Sequence, residues 1–177
     1  MKKILLFLSV LLCTAGFAQV KWYTLEEALQ LQKQNPKKIL IDFYADWCGP
    51  CKVMEKKTYN HPEIAPFLNE KYYPVKFDAE GNSTVEIYGR TFRNPDFANK
   101  RKRNAMHQFT QYLNVVAVPS IVFLDEQSNP ITILQGALTA PELEPYLYFF
   151  EGDQHKKVKT REDWENYQKK FKSKIKD

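Results

Sequence analysis

Two cysteines three residues apart, set where an apolar run gives way to a helical one, limit this chain more than any other feature. The stretch is Trp47-Cys48-Gly49-Pro50-Cys51-Lys52. Ahead of it, Lys38-Ile39-Leu40-Ile41-Asp42-Phe43-Tyr44-Ala45 is almost continuously apolar, which predicts a central strand covered on both faces. Behind it, Val53-Met54-Glu55-Lys56-Lys57 predicts a helix. Gly49-Pro50 sits at the start of that helix, where proline's missing N–H would be unpaired anyway. A cysteine pair in that setting is a redox motif rather than a metal knuckle. A zinc site needs two further soft ligands, and beyond the pair there is one other cysteine, Cys13, in the amino-terminal segment. An inert structural disulfide is the remaining alternative.

The first residues bear on the compartment. Met1-Lys2-Lys3 is positive, residues 4–12 are almost wholly apolar, and Gly16-Phe17-Ala18 offers small residues for a cut after Ala18. This is the pattern of a secretory signal peptide over residues 1–18. The apolar run is shorter than the roughly 20 residues a bilayer span needs. Leu12 stands where a lipoprotein signal wants a small residue, so lipidation at Cys13 is the weaker alternative. The mature chain then keeps Cys48 and Cys51 alone. Exported proteins braced by disulfides carry more cysteines, so this fold is expected to rest on its core. With 44% hydrophobic and 14% aromatic residues in 177, that core is available. The formal charge of +5 falls by two without Lys2 and Lys3. So mild a bias, with no aromatic-and-basic sheet signature, makes no case for nucleic acid.

In chain order, Thr24 with Glu27 predicts a capping box opening a first helix, closed by Asn35-Pro36. Residues 62–72 form a second helical piece beyond Tyr59-Asn60-His61-Pro62, and residues 73–78 a strand. Thr84 to Phe92, β-branched and aromatic around Gly89-Arg90, predicts a small hairpin inside an insertion near residues 83–104. Lys100-Arg101-Lys102-Arg103 is a solvated charge run or a docking patch for an acidic partner. Residues 105–113 resume a helix in which His107 is a surface or satisfied group. Ser120 to Leu124 and Pro130 to Leu134 pair as antiparallel strands, followed by Gly136. Thr139 with Glu142 caps the last domain helix. Beyond residue 150, Trp164, Tyr167, Phe171 and Ile175 recur at helical spacing. That predicts an extra helix docked on the domain, or one that dimerises or binds a partner.

Asp42, the Trp47 to Lys52 motif and Val118-Pro119-Ser120, in that order of elements, resemble the thioredoxin superfamily over roughly residues 22–150. Within it the chain looks most like secreted and periplasmic thioredoxin-like proteins, including the exported domain of bacterial transmembrane disulfide reductases. The resemblance implies an α/β thioredoxin fold, a central mixed sheet flanked by helices, as a domain over residues 19–150 with a helical extension over 151–177. It also implies that Cys48, the more exposed sulfur, is the nucleophile, that Cys51 resolves the mixed disulfide, and that a buried Asp42 of raised proton affinity takes the proton from Cys51. Many relatives carry a lysine facing that acid at position 74; Pro74 here predicts that Asp42 lacks its charge partner. Pro119 is expected to be cis. Trp47, Gly49, Pro50, Val118, Pro119 and Ser120 are the residues expected to meet the substrate, and Gly136 to border their groove. Neither cofactor nor metal is implied.

Gly49-Pro50 between the cysteines looks like the reducing type. The resemblance thus implies an exported thiol-disulfide oxidoreductase, located in the periplasm or secreted. It would reduce disulfides of protein clients and be recharged by a membrane-linked or other thiol electron donor. Two alternatives stand beside it: a disulfide isomerase, which dimerisation through residues 151–177 would help, and a thioredoxin-fold binding module with a vestigial pair.

Overall fold

The computed structural model describes residues 19–99 and 105–176. The signal segment, Cys13 and the basic run Lys100-Arg101-Lys102-Arg103 lie outside these residues. Helix α1 (Leu25–Gln34) opens with the Thr24–Glu27 capping box. Strand β1 (Lys38–Tyr44) leads to α2 (Gly49–Met54), which widens into one π-helical turn, Glu55–Tyr59. Helix α3 (Ile64–Lys71) and strand β2 (Tyr72–Asp78) follow, then the short strands β3 (Val85–Ile87) and β4 (Arg90–Phe92). Helix α4 (Gln108–Tyr112), strands β5 (Ser120–Leu124) and β6 (Pro130–Gln135), and helices α5 (Ala140–Glu151) and α6 (Arg161–Lys170) complete the order.

The main sheet runs β2-β1-β5-β6, with β1 parallel to β2 and antiparallel to β5, and β5 antiparallel to β6. It is the mixed sheet flanked by helices that the resemblance implies. Tyr23 adds a bridge beside Val75 at the β2 edge. Side chains alternate across β1 because a strand has a period of two. Ile39, Ile41 and Phe43 join Leu25, Val75, Phe77 and Phe109 on one face. Leu40 joins Met54, Tyr59, Leu68, Phe123 and Leu147 on the other. Asp42 has the parity of Leu40. It therefore faces α2 and the π-turn, as does Lys76, its register partner on β2.

The insertion is a hairpin, but its turn is Tyr88-Gly89 rather than Gly89-Arg90. Both residues have positive φ, +57° and +67°, as a two-residue turn matched to strand twist requires. For Tyr88 that backbone is strained, and its side chain is anchored: the hydroxyl donates to the Ser128 carbonyl at 2.5 Å, and the ring lies 5.6 Å from Tyr112. Phe92 seals the hairpin against Phe109 and Tyr112. Helix α4 is shorter than the 105–113 expected. His107 serves as its cap, its backbone N–H committed to the Ala79 carbonyl. The ring is fully buried, with Nδ1 accepting from Phe109 N at 3.0 Å and Nε2 2.8 Å from the Ser83 carbonyl. That arrangement selects the neutral Nε2–H tautomer, and burial lowers the pKa.

The carboxy-terminal extension docks on α5. Trp164 packs on Tyr146 and Phe149, Tyr167 on Phe149, and Phe171 on Tyr148, with ring centroids 4.7–5.5 Å apart. Half-buried aromatics of this kind each contribute about 1 kcal/mol. Buried Lys38, the first residue of β1, pairs with Glu126 at 2.6 Å and, at 2.9 Å, with Asp153 just beyond α5. The aromatic stripe that could have bound a second copy is thus spent within the chain.

Candidate active site

The site begins where β1 ends. Its last residue, Tyr44, and the following Ala45 deliver the chain to Cys48, whose N–H is held by the Ala45 carbonyl at 2.9 Å. Cys48 has extended backbone and caps α2, while Cys51 sits in the first turn. Their sulfurs are joined in a disulfide, with Cα atoms 5.3 Å apart. Cys48 Sγ also accepts the Cys51 backbone N–H at 3.1 Å, a helix-start donor of the kind that favours negative charge on a cysteine sulfur. The expected order of exposure does not hold in this oxidised form: Cys48 is 2% exposed and Cys51 5%. Tyr44, Ala45 and Val118 pack on the pair.

Asp42 is 2% exposed. Its Oδ1 accepts the Tyr59 hydroxyl at 3.0 Å. Burial pushes its pKa up to about 7, against the opposing pull of the Lys76 charge and the Tyr59 hydrogen bond; Glu55 adds to the rise. The acid is therefore poised to change protonation near neutral pH. Tyr59 is fully buried beside this acid, and burial holds its hydroxyl well above its usual pKa, so it stays a donor.

Asp42 does have a charge partner. Pro74 leaves its own position without a cation, but Lys76, two residues along the same face of β2, lies in register with Asp42. Its ammonium is ion-paired with Glu55 and lies over the Tyr44 and Trp22 rings at 5.1 and 5.4 Å. Shared between Glu55 and Asp42, that cation only partly offsets the cost of burying the acid. Trp22 also meets Tyr59 edge-on at 5.0 Å. Tyr59, Lys76 and Glu55 were not singled out from sequence. The strand period of two places Lys76 beside Pro74, and Glu55 stands four residues after Cys51 on one helix face. The π-turn that aims Tyr59 has no sequence signature.

Of the residues expected to meet substrate, Trp47 is 60% exposed, its indole N–H donating to Glu80 at 3.0 Å. Gly49 and Pro50 are exposed. The Val118–Pro119 peptide bond is cis, and Val118 touches the cysteine pair. Ser120 is a correction: it is fully buried in β5, its hydroxyl donating to the Ala117 carbonyl at 2.8 Å. It braces the Pro119 turn from within, because strand alternation turns it off the accessible face. Gly136 has φ +96° and its N–H bonds the Pro119 carbonyl, which ties the β6 exit to the cis-proline turn.

A family model described as a thioredoxin-like domain matches residues 25–151. Over 108 residues the chain is 31% identical to the thiol:disulfide interchange protein DsbD of Vibrio vulnificus (strain CMCP6), covering 61% of this chain and 15% of that protein. The chain thus matches a small part of that relative's length. Against thioredoxin Y1, chloroplastic, of Arabidopsis thaliana it is 30% identical over 131 residues, 74% of this chain and 60% of that one. A thioredoxin-fold protein from Helicobacter pylori superposes with a TM-score of 0.57 at 19% identity, covering 76% and 82% of the two chains. Cys48 and Cys51 are disulfide-bonded within the matched stretch, and the chain belongs to the family of thioredoxin-like domains.

Proposed function

We propose that this protein is exported and reduces disulfides of protein clients. The observation that carries the reading is the buried Asp42, poised near neutrality on the strand that enters the cysteine pair and hydrogen-bonded to the helical turn that leaves it. In the reduced protein, Cys48 thiolate attacks one client sulfur, and the other leaves as a thiolate that takes up a proton. Asp42, ionised, accepts the Cys51 thiol proton, directly or through water. Cys51 then attacks Cys48 Sγ and expels the second client sulfur. The client gains two electrons and two protons, and the Cys48–Cys51 bond is re-formed. Because Cys51 is three residues away, this second attack is intramolecular. Trp47, Gly49, Pro50 and Val118 form the surface around the attack, with Pro119 buried behind Val118. A membrane-linked or other thiol donor restores the pair. The likeness of residues around the pair to part of a thiol:disulfide interchange protein supports both the donor and a periplasmic or secreted location.

The test is the equilibrium reduction potential of residues 19–177, read by alkylation or Trp fluorescence across a dithiol/disulfide buffer series. A value near about −270 mV supports a reductase; one near −120 to −180 mV overturns it in favour of an oxidase or isomerase.

A further inference from the structure

Beside the cysteine pair lies a groove of about 660 Å³. Pro50, between the two cysteines, and Val53, half exposed on the next turn, form one side. Leu138 closes the floor beyond β6, and Ile175 forms the far wall. Lys57 and Lys176 stand on its rim, and no carboxylate is among the described residues that line it.

The far wall is built rather than incidental. Residues past 151 lie beyond the stretch matched by the family model, yet this tail is clasped to the domain by a buried acid. Glu144 on α5 accepts the Lys174 backbone N–H at 2.8 Å and the Ser173 hydroxyl at 2.5 Å. The Ser173 hydroxyl also bonds the Ile175 N–H at 3.0 Å, which sets the turn that presents Ile175. Lys174 lies over the Tyr148 ring. A buried carboxylate without donors would be costly, so Glu144 holds residues 173–175 in one place, and with them the wall.

We infer that this groove is a client-selecting subsite whose occupant is an extended client segment flanking the target cysteine, carrying an aliphatic or aromatic side chain followed by an acidic one. The inference rests on the reductase reading. A client bonded through sulfur to Cys48 lies against Gly49 and Pro50, so its continuing chain enters the groove. An apolar side chain there loses water against Val53, Leu138 and Ile175, and a carboxylate meets Lys57 and Lys176 on the rim. The carboxy-terminal extension thereby takes part in choosing clients.

Two synthetic peptides with the same intramolecular disulfide test it, one flanked by Leu-Glu and one by Ser-Lys, compared by kcat/KM. The wild type is expected to favour the Leu-Glu peptide about tenfold. Ile175→Glu, and independently Lys57→Glu at an exposed position, are expected to bring that ratio close to one. Equal rates on the two peptides in the wild type, or a ratio unchanged in Lys57→Glu, overturn the subsite while leaving the reductase reading standing. A wild type that reduces neither peptide overturns both.

Discussion

Asp42 and Glu144 are equally buried, each 2% exposed, and their surroundings set them to different work. Glu144, on the α5–tail seam, meets two donors aimed at its two oxygens, a backbone N–H and a hydroxyl. Asp42, at the end of β1, meets one neutral hydroxyl and a lysine already engaged by Glu55. The first arrangement is a clasp. The second leaves an acid under-compensated, and its pKa rises to about 7. Burial alone does not decide whether an acid is structural or reactive; the number and charge of the donors facing it do.

The sharpest break between the two regions comes at the cysteines. Cys48→Ser is expected to abolish turnover, and Cys51→Ser to accumulate the client mixed disulfide, seen by non-reducing electrophoresis; neither outcome is expected from any change at Glu144. Asp42→Asn comes next. The resolving step should slow by about a hundredfold near neutral pH, and the mixed-disulfide decay should lose a pH dependence centred near 7. Its stability effect has a defined sign. Folded Asp42 keeps a proton that the unfolded chain gives up near pH 4. Stability therefore falls as pH rises from about 4 to 7 and levels off above. Asp42→Asn should remove that slope and stabilise the oxidised protein at pH 8 by on the order of 3 kcal/mol, measured by urea unfolding at both ends of the window. A slope that persists in the variant would place the titration elsewhere.

Glu144→Ala should act in the opposite direction, destabilising by about 2 kcal/mol as the tail loses its anchor, with the pH profile of the cysteines unmoved. The smallest effect should come from Tyr59→Phe. It keeps the ring against Trp22 and removes only the hydroxyl, costing about 1 kcal/mol. Because that hydrogen bond lowers the Asp42 pKa, its loss should move the midpoint of the resolving step to higher pH. A stability loss with an unmoved midpoint would make Tyr59 a packing residue like those around Glu144.

Much of this was legible in the sequence for local reasons. The β1 run, the Cys48–Cys51 spacing, the capping boxes and the Thr84–Phe92 hairpin are all signals within ten residues or so. Two of their failures came from contacts distant in sequence. The hairpin turn slid by one residue because Tyr88 takes a positive φ against its own preference, supported by Ser128 forty residues away. Helix α4 begins late because His107 gives its backbone to Ala79. Ser120 was assigned to the substrate surface from its place in the motif, whereas its side chain follows strand parity into the core.

By itself, the sequence determined the strand–cysteine–helix junction, the apolar core and the acid six residues before the pair, since propensity, periodicity and spacing all act along the chain. The tertiary structure alone decided what surrounds that acid. It also decided that the carboxy-terminal aromatics cover α5 and that Ile175 returns to line a groove shared with Pro50. Those outcomes depend on which distant groups share a buried space. In that space the balance of desolvation against hydrogen bonds and charge is struck between residues far apart in sequence.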